Sequence, residues 1–258
     1  VGYDRTVFQT KMDWSQANEK AGTAYIANSH STDTYQRMSL TANFAMDAQT
    51  RFVVIQPVIY NSQKERGSSE IVLKGLGDGQ VRLQRQLLNQ SPTLMHNYKQ
   101  SLLVEAGVEV PFGSFDRRDL EGNRVNENLQ TGSDSWDLLW GVSYTLRNMT
   151  WGLNQRVTYQ WNTQNTYAYK RGNQTYSQTS LLYFNEIKRL QYSLAPLFWF
   201  EQSQADELSG ATRANRGGQS LGTGLQVQVN YGNWVFNTSA RQPLIQNFHI
   251  EERASISG

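Results

Sequence analysis

Cysteine is absent from the 258 residues. Its absence excludes a disulfide framework, a thiol nucleophile and a cysteine-based metal site. Histidine is scarce, with only His30, His96 and His249, so histidine-based metal or acid–base chemistry has few places to reside. No apolar run approaches the roughly 18 residues that a membrane-spanning helix needs, although a β-barrel, which crosses with strands, stays open. Net charge is small, with 24 Lys+Arg against 22 Asp+Glu. The basic residues are scattered rather than striped, so a nucleic-acid groove is not expected. The chain does not start with a charged segment leading into an apolar run, and a signal peptide, had there been one, is expected to have been removed.

What the chain does have is aromatic: 7 Trp, 13 Tyr and 10 Phe, against a mean hydropathy of −0.62. A polar average combined with a heavily aromatic apolar surface suits a barrel with a wet interior and polar loops. Residues 135–162 show the pattern most clearly. Trp136, Leu138, Trp140, Val142, Tyr144 and Leu146 alternate with Asp137, Gly141, Ser143, Thr145 and Arg147, and Leu139 is the apolar intruder. After a turn at 147–150, Trp151, Leu153, Val157, Tyr159 and Trp161 alternate with Gly152, Asn154, Arg156, Thr158 and Gln160, interrupted by Gln155. Successive strand side chains point to opposite faces, so this is a two-faced hairpin with indoles at both ends of its apolar face. Each run matches the roughly 9–11 residues of a transmembrane strand flanked by interfacial aromatics. One wall of a soluble sandwich or lipocalin-like barrel would also carry aromatics.

The remaining chain decides between these. Strand patterns are predicted over 6–14, 35–46, 51–60, 81–88, 98–110, 135–147, 151–162, 174–187, 190–200, 225–231, from 234 onward and over 249–258. Pro57 cannot donate to a ladder, so a bulge or local break is expected there. Long polar connections (15–34, 61–80, 112–133, 163–173, 201–219) alternate with short turns, of which 89–97 is longer than the rest. Outer-membrane barrels have this order, with short periplasmic turns, longer extracellular loops and an even strand number. The expectation is an all-β chain, 1–258, forming one antiparallel up-and-down transmembrane barrel of about twelve strands, with both termini periplasmic in a bacterial outer membrane.

Three stretches carry a resemblance: GLGDGQVRLQRQLL at 75–88, LQTGSDSWDLLWGVSYTLR at 129–147 and RQPLIQNFHIEERASISG at 241–258. They resemble, in the same order, motifs of the outer-membrane proteins of the phenol-degradation meta-pathway, described as transporters. The resemblance implies an outer-membrane barrel that passes small molecules, aromatic or hydrophobic ones included. The final Ser-Ile-Ser-Gly departs from the terminal aromatic of such barrels, as a trimmed end would.

The inward face is expected to carry Arg37, Glu105, Glu109, Asp137, Arg147, Arg156, Glu186 and Arg241. These charges either brace the wall by pairing or form a constriction that selects what passes. Glu105 and Glu109 are two pleats apart, too far for an acid/base dyad, so an arginine is the expected partner. The membrane-interface aromatics are Trp14, Trp136, Trp151, Tyr159, Trp161, Tyr231 and Trp234, with Trp136 and Trp161 toward the outer rim and Trp151 toward the periplasmic one. The expected partners are outer-membrane lipid, a small solute and, in the scaffold reading, a periplasmic or surface protein. No cofactor and no nucleic acid are expected.

Other readings are weaker. A non-conducting barrel could be a scaffold for such a protein partner. A lipid hydrolase could pair His249 with Ser15 across a closing seam, but no orienting acid is evident, so the chain is read as not an enzyme. Asp116, Asp119 and Glu121 lack the spacing of a calcium loop, and Gly75–Gly79 lacks the helix of a phosphate loop.

Overall fold

The computed structural model describes residues 9–16, 31–65, 70–91, 97–119, 122–125, 127, 129–187, 190–213, 217–231 and 234–248. Among them every regular element is a β-strand. The larger sheet contains β1 (Gln9–Gln16), β2 (Ser31–Ala45), β3 (Thr50–Glu65), β4 (Ile71–Leu76), β5 (Gly79–Gln90), β6 (Lys99–Val110), β7 (Asp137–Arg147), β8 (Trp151–Trp161), β10 (Gln174–Ile187), β11 (Leu190–Ser203), β14 (Gly218–Tyr231) and β15 (Trp234–Phe248). Its path is β1-β2-β3-β5-β6-β7-β8-β10-β11-β14-β15, with β4 also paired to β3. The path visits its strands in chain order, and every pairing with a described register is antiparallel. The expected closing strand at 249–258 lies outside the described residues.

Contacts gather the chain into two compact units. One comprises Val1–Ala45, Phe52–Val81 and Val108–Trp136; the other comprises Met46–Arg51, Arg82–Gly107 and Asp137–Gly258.

In the second unit the alternation read from residues 135–162 becomes a burial pattern. Asp137, Leu139 and Gly141 are buried while Leu138, Trp140 and Val142 are exposed. Along β11 large apolar side chains are again exposed, Leu194 and Phe198, in alternation with buried Ala195, Leu197 and Trp199. Water-soluble chains arrange such residues the other way round. Cross-strand neighbours stabilise the apolar face: Trp140 stacks on Tyr159 at 5.1 Å and Trp151 lies 4.8 Å from Tyr183. Each pair adds about 0.5–1.5 kcal/mol beyond its buried area. Gln155, the polar exception on this face, is satisfied laterally. It donates to the Ser177 hydroxyl at 3.0 Å and accepts from the Thr179 hydroxyl.

The short turns share one device. Asn148 Oδ1 accepts the Thr150 and Trp151 amides at 2.8 and 2.7 Å, and Asp47 Oδ1 accepts those of Gln49 and Thr50, both at 2.7 Å. The Gln49 amide, followed by Thr50, holds the Asp47 carboxyl below its usual range. A side-chain oxygen that bonds the backbone two and three residues on closes a turn locally.

Four expected loops contain strand residues, among them 15–34, where β2 already begins at Ser31. β3 runs on to Glu65 and pairs with β4 through polar residues, Asn61 opposite Leu73 and Ser62 opposite Val72. β14 begins at Gly218, well before the predicted 225, through the glycine-rich GQSLGTG. The polar connections at 163–173 and 201–219 supply β9 (Tyr169–Lys170), β12 (Asp206–Leu208) and β13 (Ala211–Arg213), which form a three-stranded sheet. That sheet is pinned by buried Asp206, which accepts the Tyr169 hydroxyl and, at 2.8 Å, the Gly172 amide.

Asn148→Ala should lower unfolding stability by about 1–2 kcal/mol, since two turn amides lose their acceptor. Urea titration of the protein folded in lipid vesicles would measure the loss, and an unchanged midpoint would contradict this account of the turn.

Candidate functional site

In the first unit the site is built around Pro57. Its missing N–H does not break β3 itself; the break falls on the facing strand, between the end of β4 at Leu76 and the start of β5 at Gly79. Gly77 still donates to the Pro57 carbonyl at 2.9 Å, and Gln56 Nε2 reaches the Gly77 carbonyl at 2.8 Å. A Cβ at Gly77 would lie 2.8 Å from Ile59 Cγ1, so only glycine fits this crossing. Asp78 is thereby freed from the ladder, and its buried carboxylate turns to the 112–133 connection. Oδ1 accepts the Gly113 amide at 2.9 Å, and Oδ2 accepts the Ser133 amide at 2.6 Å. One side chain clasps both ends of the long loop.

The neck of that loop is closed by backbone. Gly132 donates to the Ser114 carbonyl at 3.0 Å, and a Cβ at Gly113 would be 2.5 Å from Gly132 Cα. Beyond the neck, Val125 and Leu129 pack on Leu73 and Ile71. Asn61 donates to the Leu129 carbonyl at 2.9 Å. Buried Gln130 stitches the interior by accepting the Arg117 amide and donating to the Arg117 and Val125 carbonyls. The apolar residues of this long polar connection thus give it a core of its own. Its acids serve the loop: Asp116 pairs with Arg118 at 3.2 Å and Asp119 accepts the Asn123 amide at 2.8 Å. Glu121 lies outside the described residues. Glu109, in the same unit, accepts from Gln80 at 2.6 Å.

The second unit holds a charge network centred on Glu105. Oε1 lies 3.2 Å from Arg82 Nη1 and 2.6 Å from Arg156 Nη2, while Oε2 accepts from Gln84 at 2.6 Å. Arg51 bonds the same Gln84 through Nε at 2.6 Å. A Cβ at Gly141 would lie 2.8 Å from Glu105 Oε1, so the glycine makes room for the carboxylate. Two guanidinium groups therefore meet one acid, a third is linked to it through Gln84, and both of its oxygens are engaged.

The other predicted charges are dispersed. Asp137 is buried and accepts the Thr163 amide at 2.8 Å. Arg147 is exposed, 5.2 Å from the Phe184 ring. Glu186 is exposed and accepts from Gln191 at 3.4 Å. Arg37 is exposed. Arg241 donates to Gln178 at 3.2 Å and lies over the Tyr176 ring. Of the interface aromatics, Trp136, Trp151, Trp161 and Tyr231 are exposed and Tyr159 is half-buried. The side chains of Trp14 and Trp234 lie outside the described residues, as do all three histidines, and with them the Ser15–His249 pairing. Among the described residues no group of acids or histidines could hold a metal ion.

The profile of the family described as "Putative MetA-pathway of phenol degradation" matches residues 15–242. The chain belongs to that family. The fold is similar to the crystal structure of an outer membrane channel from Pseudomonas putida F1, with a TM-score of 0.61 and 12% identity over 93% of this chain and 89% of that one. No curated protein sequence matches.

The clasp joins two of the stretches that carry the resemblance. Asp78 belongs to the 75–88 motif, and Gly132 and Ser133 belong to the 129–147 motif, so two stretches read separately in the chain meet through the Asp78–Ser133 bond. Asp134 at φ 57° turns the second motif toward β7. Sequence reasoning missed Asp78 as a clasp, and it also missed Arg51, Arg82 and Gln84. The available signal for the last two was their alternation with Val81 and Leu83, whereas Arg51 sits at a strand end and gives none.

Asp78→Ala should speed hydrogen exchange at the Gly113 and Ser133 amides roughly ten- to hundredfold, since a bond to a charged acceptor contributes about 1.5–3 kcal/mol; strand amides of the second unit should stay protected. Glu105→Gln should cost on the order of 2–3 kcal/mol in urea unfolding. That is below the about 3–5 of a fully buried pair, because the Arg156 side chain is 41% exposed and water screens it. A cost near zero would mean that the arginines are already satisfied elsewhere.

Proposed function

We propose that this protein is an outer-membrane channel for small solutes, with its short turns and both termini on the periplasmic side and its long loops outside. The observation that carries the reading is the inverted sheet face. Leu138, Trp140, Val142, Leu181, Phe198, Leu225 and Phe236, from β7, β10, β11, β14 and β15, are large, apolar and exposed, whereas soluble monomers rarely expose contiguous apolar patches beyond a few hundred Å². Lipid is the solvent that suits such a face. Family membership and the channel-like fold support the same reading. Behind the apolar face the network around Glu105 would meet whatever passes.

In this account the charges around Glu105 both brace the wall and set its sign. Three arginines against one glutamate leave that stretch electropositive, which favours anions over cations.

Purified protein in a planar bilayer should give discrete conductance steps, and a persistently silent membrane would count heavily against a channel. Val142→Arg separates lipid from water as the medium of the outer face. At the middle of β7 it should weaken folding into vesicles by about 2–4 kcal/mol. A soluble patch would instead tolerate the charge and gain solubility.

A further inference from the structure

Arg241 differs from the arginines around Glu105. It crosses from β15 to reach Gln178 on β10, donating from Nη2 to Oε1 at 3.2 Å, and its guanidinium carbon sits 5.5 Å from the Tyr176 ring centroid. Held from the side and from below, it forms no ion pair among the described residues, and the residue stays exposed. A cation fixed by a neutral amide and an aromatic face keeps its charge available to something else.

The surroundings are shaped for this. β14, which lies between, carries glycine at the two positions that matter. A Cβ at Gly224 would approach Arg241 Cγ to 3.2 Å, and one at Gly222 would approach Trp199 Cζ2 to 2.4 Å. The arginine stem and the indole occupy the space that side chains on β14 would otherwise take. Trp199, opposite Gln178 in register, keeps a buried indole N–H with no acceptor among the described residues. Glu201, opposite Tyr176, feels the Arg241 charge but makes no ion pair with it.

We propose that Arg241, seated on Tyr176 and held by Gln178, is a binding site for small organic carboxylates, a subsite of the channel proposed above and resting on that reading. A guanidinium edge offers paired donors at the spacing of two carboxylate oxygens. One cation with an acid nearby suits a monoanion. The second charge of a phosphate dianion would find no partner and would be repelled by Glu201. A neutral solute of the same shape leaves the donors unmatched.

The test reads binding without requiring conduction. With the full chain folded in detergent at neutral pH, 13C-labelled acetate should show concentration-dependent line broadening, while acetamide should show none and inorganic phosphate should compete poorly. R241Q should weaken acetate binding at least about tenfold. R241K, which keeps the charge and loses the fork, should fall between. E201Q should tighten binding several-fold, and because it acts in the opposite direction a general loss of fold cannot mimic it. Acetate binding unchanged in R241Q and E201Q, or acetamide binding equal to acetate, would overturn the proposal. Bilayer recordings of the same proteins separate the two readings. Conductance without Arg241-dependent acetate binding removes the carboxylate site and leaves the channel. Arg241-dependent binding in a protein that never conducts removes the channel reading and leaves a carboxylate-binding surface.

Discussion

A β-strand places successive side chains on opposite faces, and here the exposed face of the sheet is the apolar one. Everything else follows from that inversion. With Leu138, Trp140 and Val142 turned out, Asp137, Leu139 and Gly141 must turn in, and a buried inward polar group is stabilised by a partner on a neighbouring strand. The side-chain networks are the consequence. Glu105 accepts from two arginines and a glutamine, Gln84 links on to Arg51, and Asn154 bonds the hydroxyls of Ser143 and Thr145. Even Gln155, stranded on the apolar face, finds Ser177 and Thr179 beside it.

Glycine is the complement of these networks. Large inward groups fit only where a neighbouring strand gives up its own side chain: Gly141 for the Glu105 carboxylate, Gly222 for the Trp199 indole, Gly224 for the Arg241 stem. Gly113 and Gly132 do the same for backbone against backbone at the neck of the 112–133 loop. The glycines that weaken strand propensity locally are therefore the ones that allow the inward face to be filled.

Proline acts with glycine in the first unit. Pro57 stays inside a continuous β3 because the strand facing it interrupts its own ladder at Gly77 and Asp78. The released Asp78 carboxylate then becomes available to hold Gly113 and Ser133. A single missing N–H on one strand is thus converted into a clasp on a distant loop, which gives the loop a fixed neck and lets Leu129 and Val125 bury against Leu73.

Fold class, strand order and the two-faced hairpin were legible in the chain, because alternation with period two and turn-forming residues such as Asn148 are local properties. Within the described residues the predicted strands recur, with their extents altered where composition misleads. Gly218–Gly224 reads as loop because three of its four inward positions are glycine, and Asn61 and Ser62 read as loop because they are polar, yet both stretches pair. Where the site residues meet was not legible. Nothing local to Glu105 names Arg82 and Arg156 as its partners, nothing in Gly-Leu-Gly-Asp-Gly announces that Asp78 reaches residues 113 and 133, and nothing in Arg241 points to Gln178. Those contacts join positions far apart in the chain, so they depend on inter-strand register and side-chain reach. Alternation assigns a residue to a face; only the tertiary structure decides which residues share a height on it.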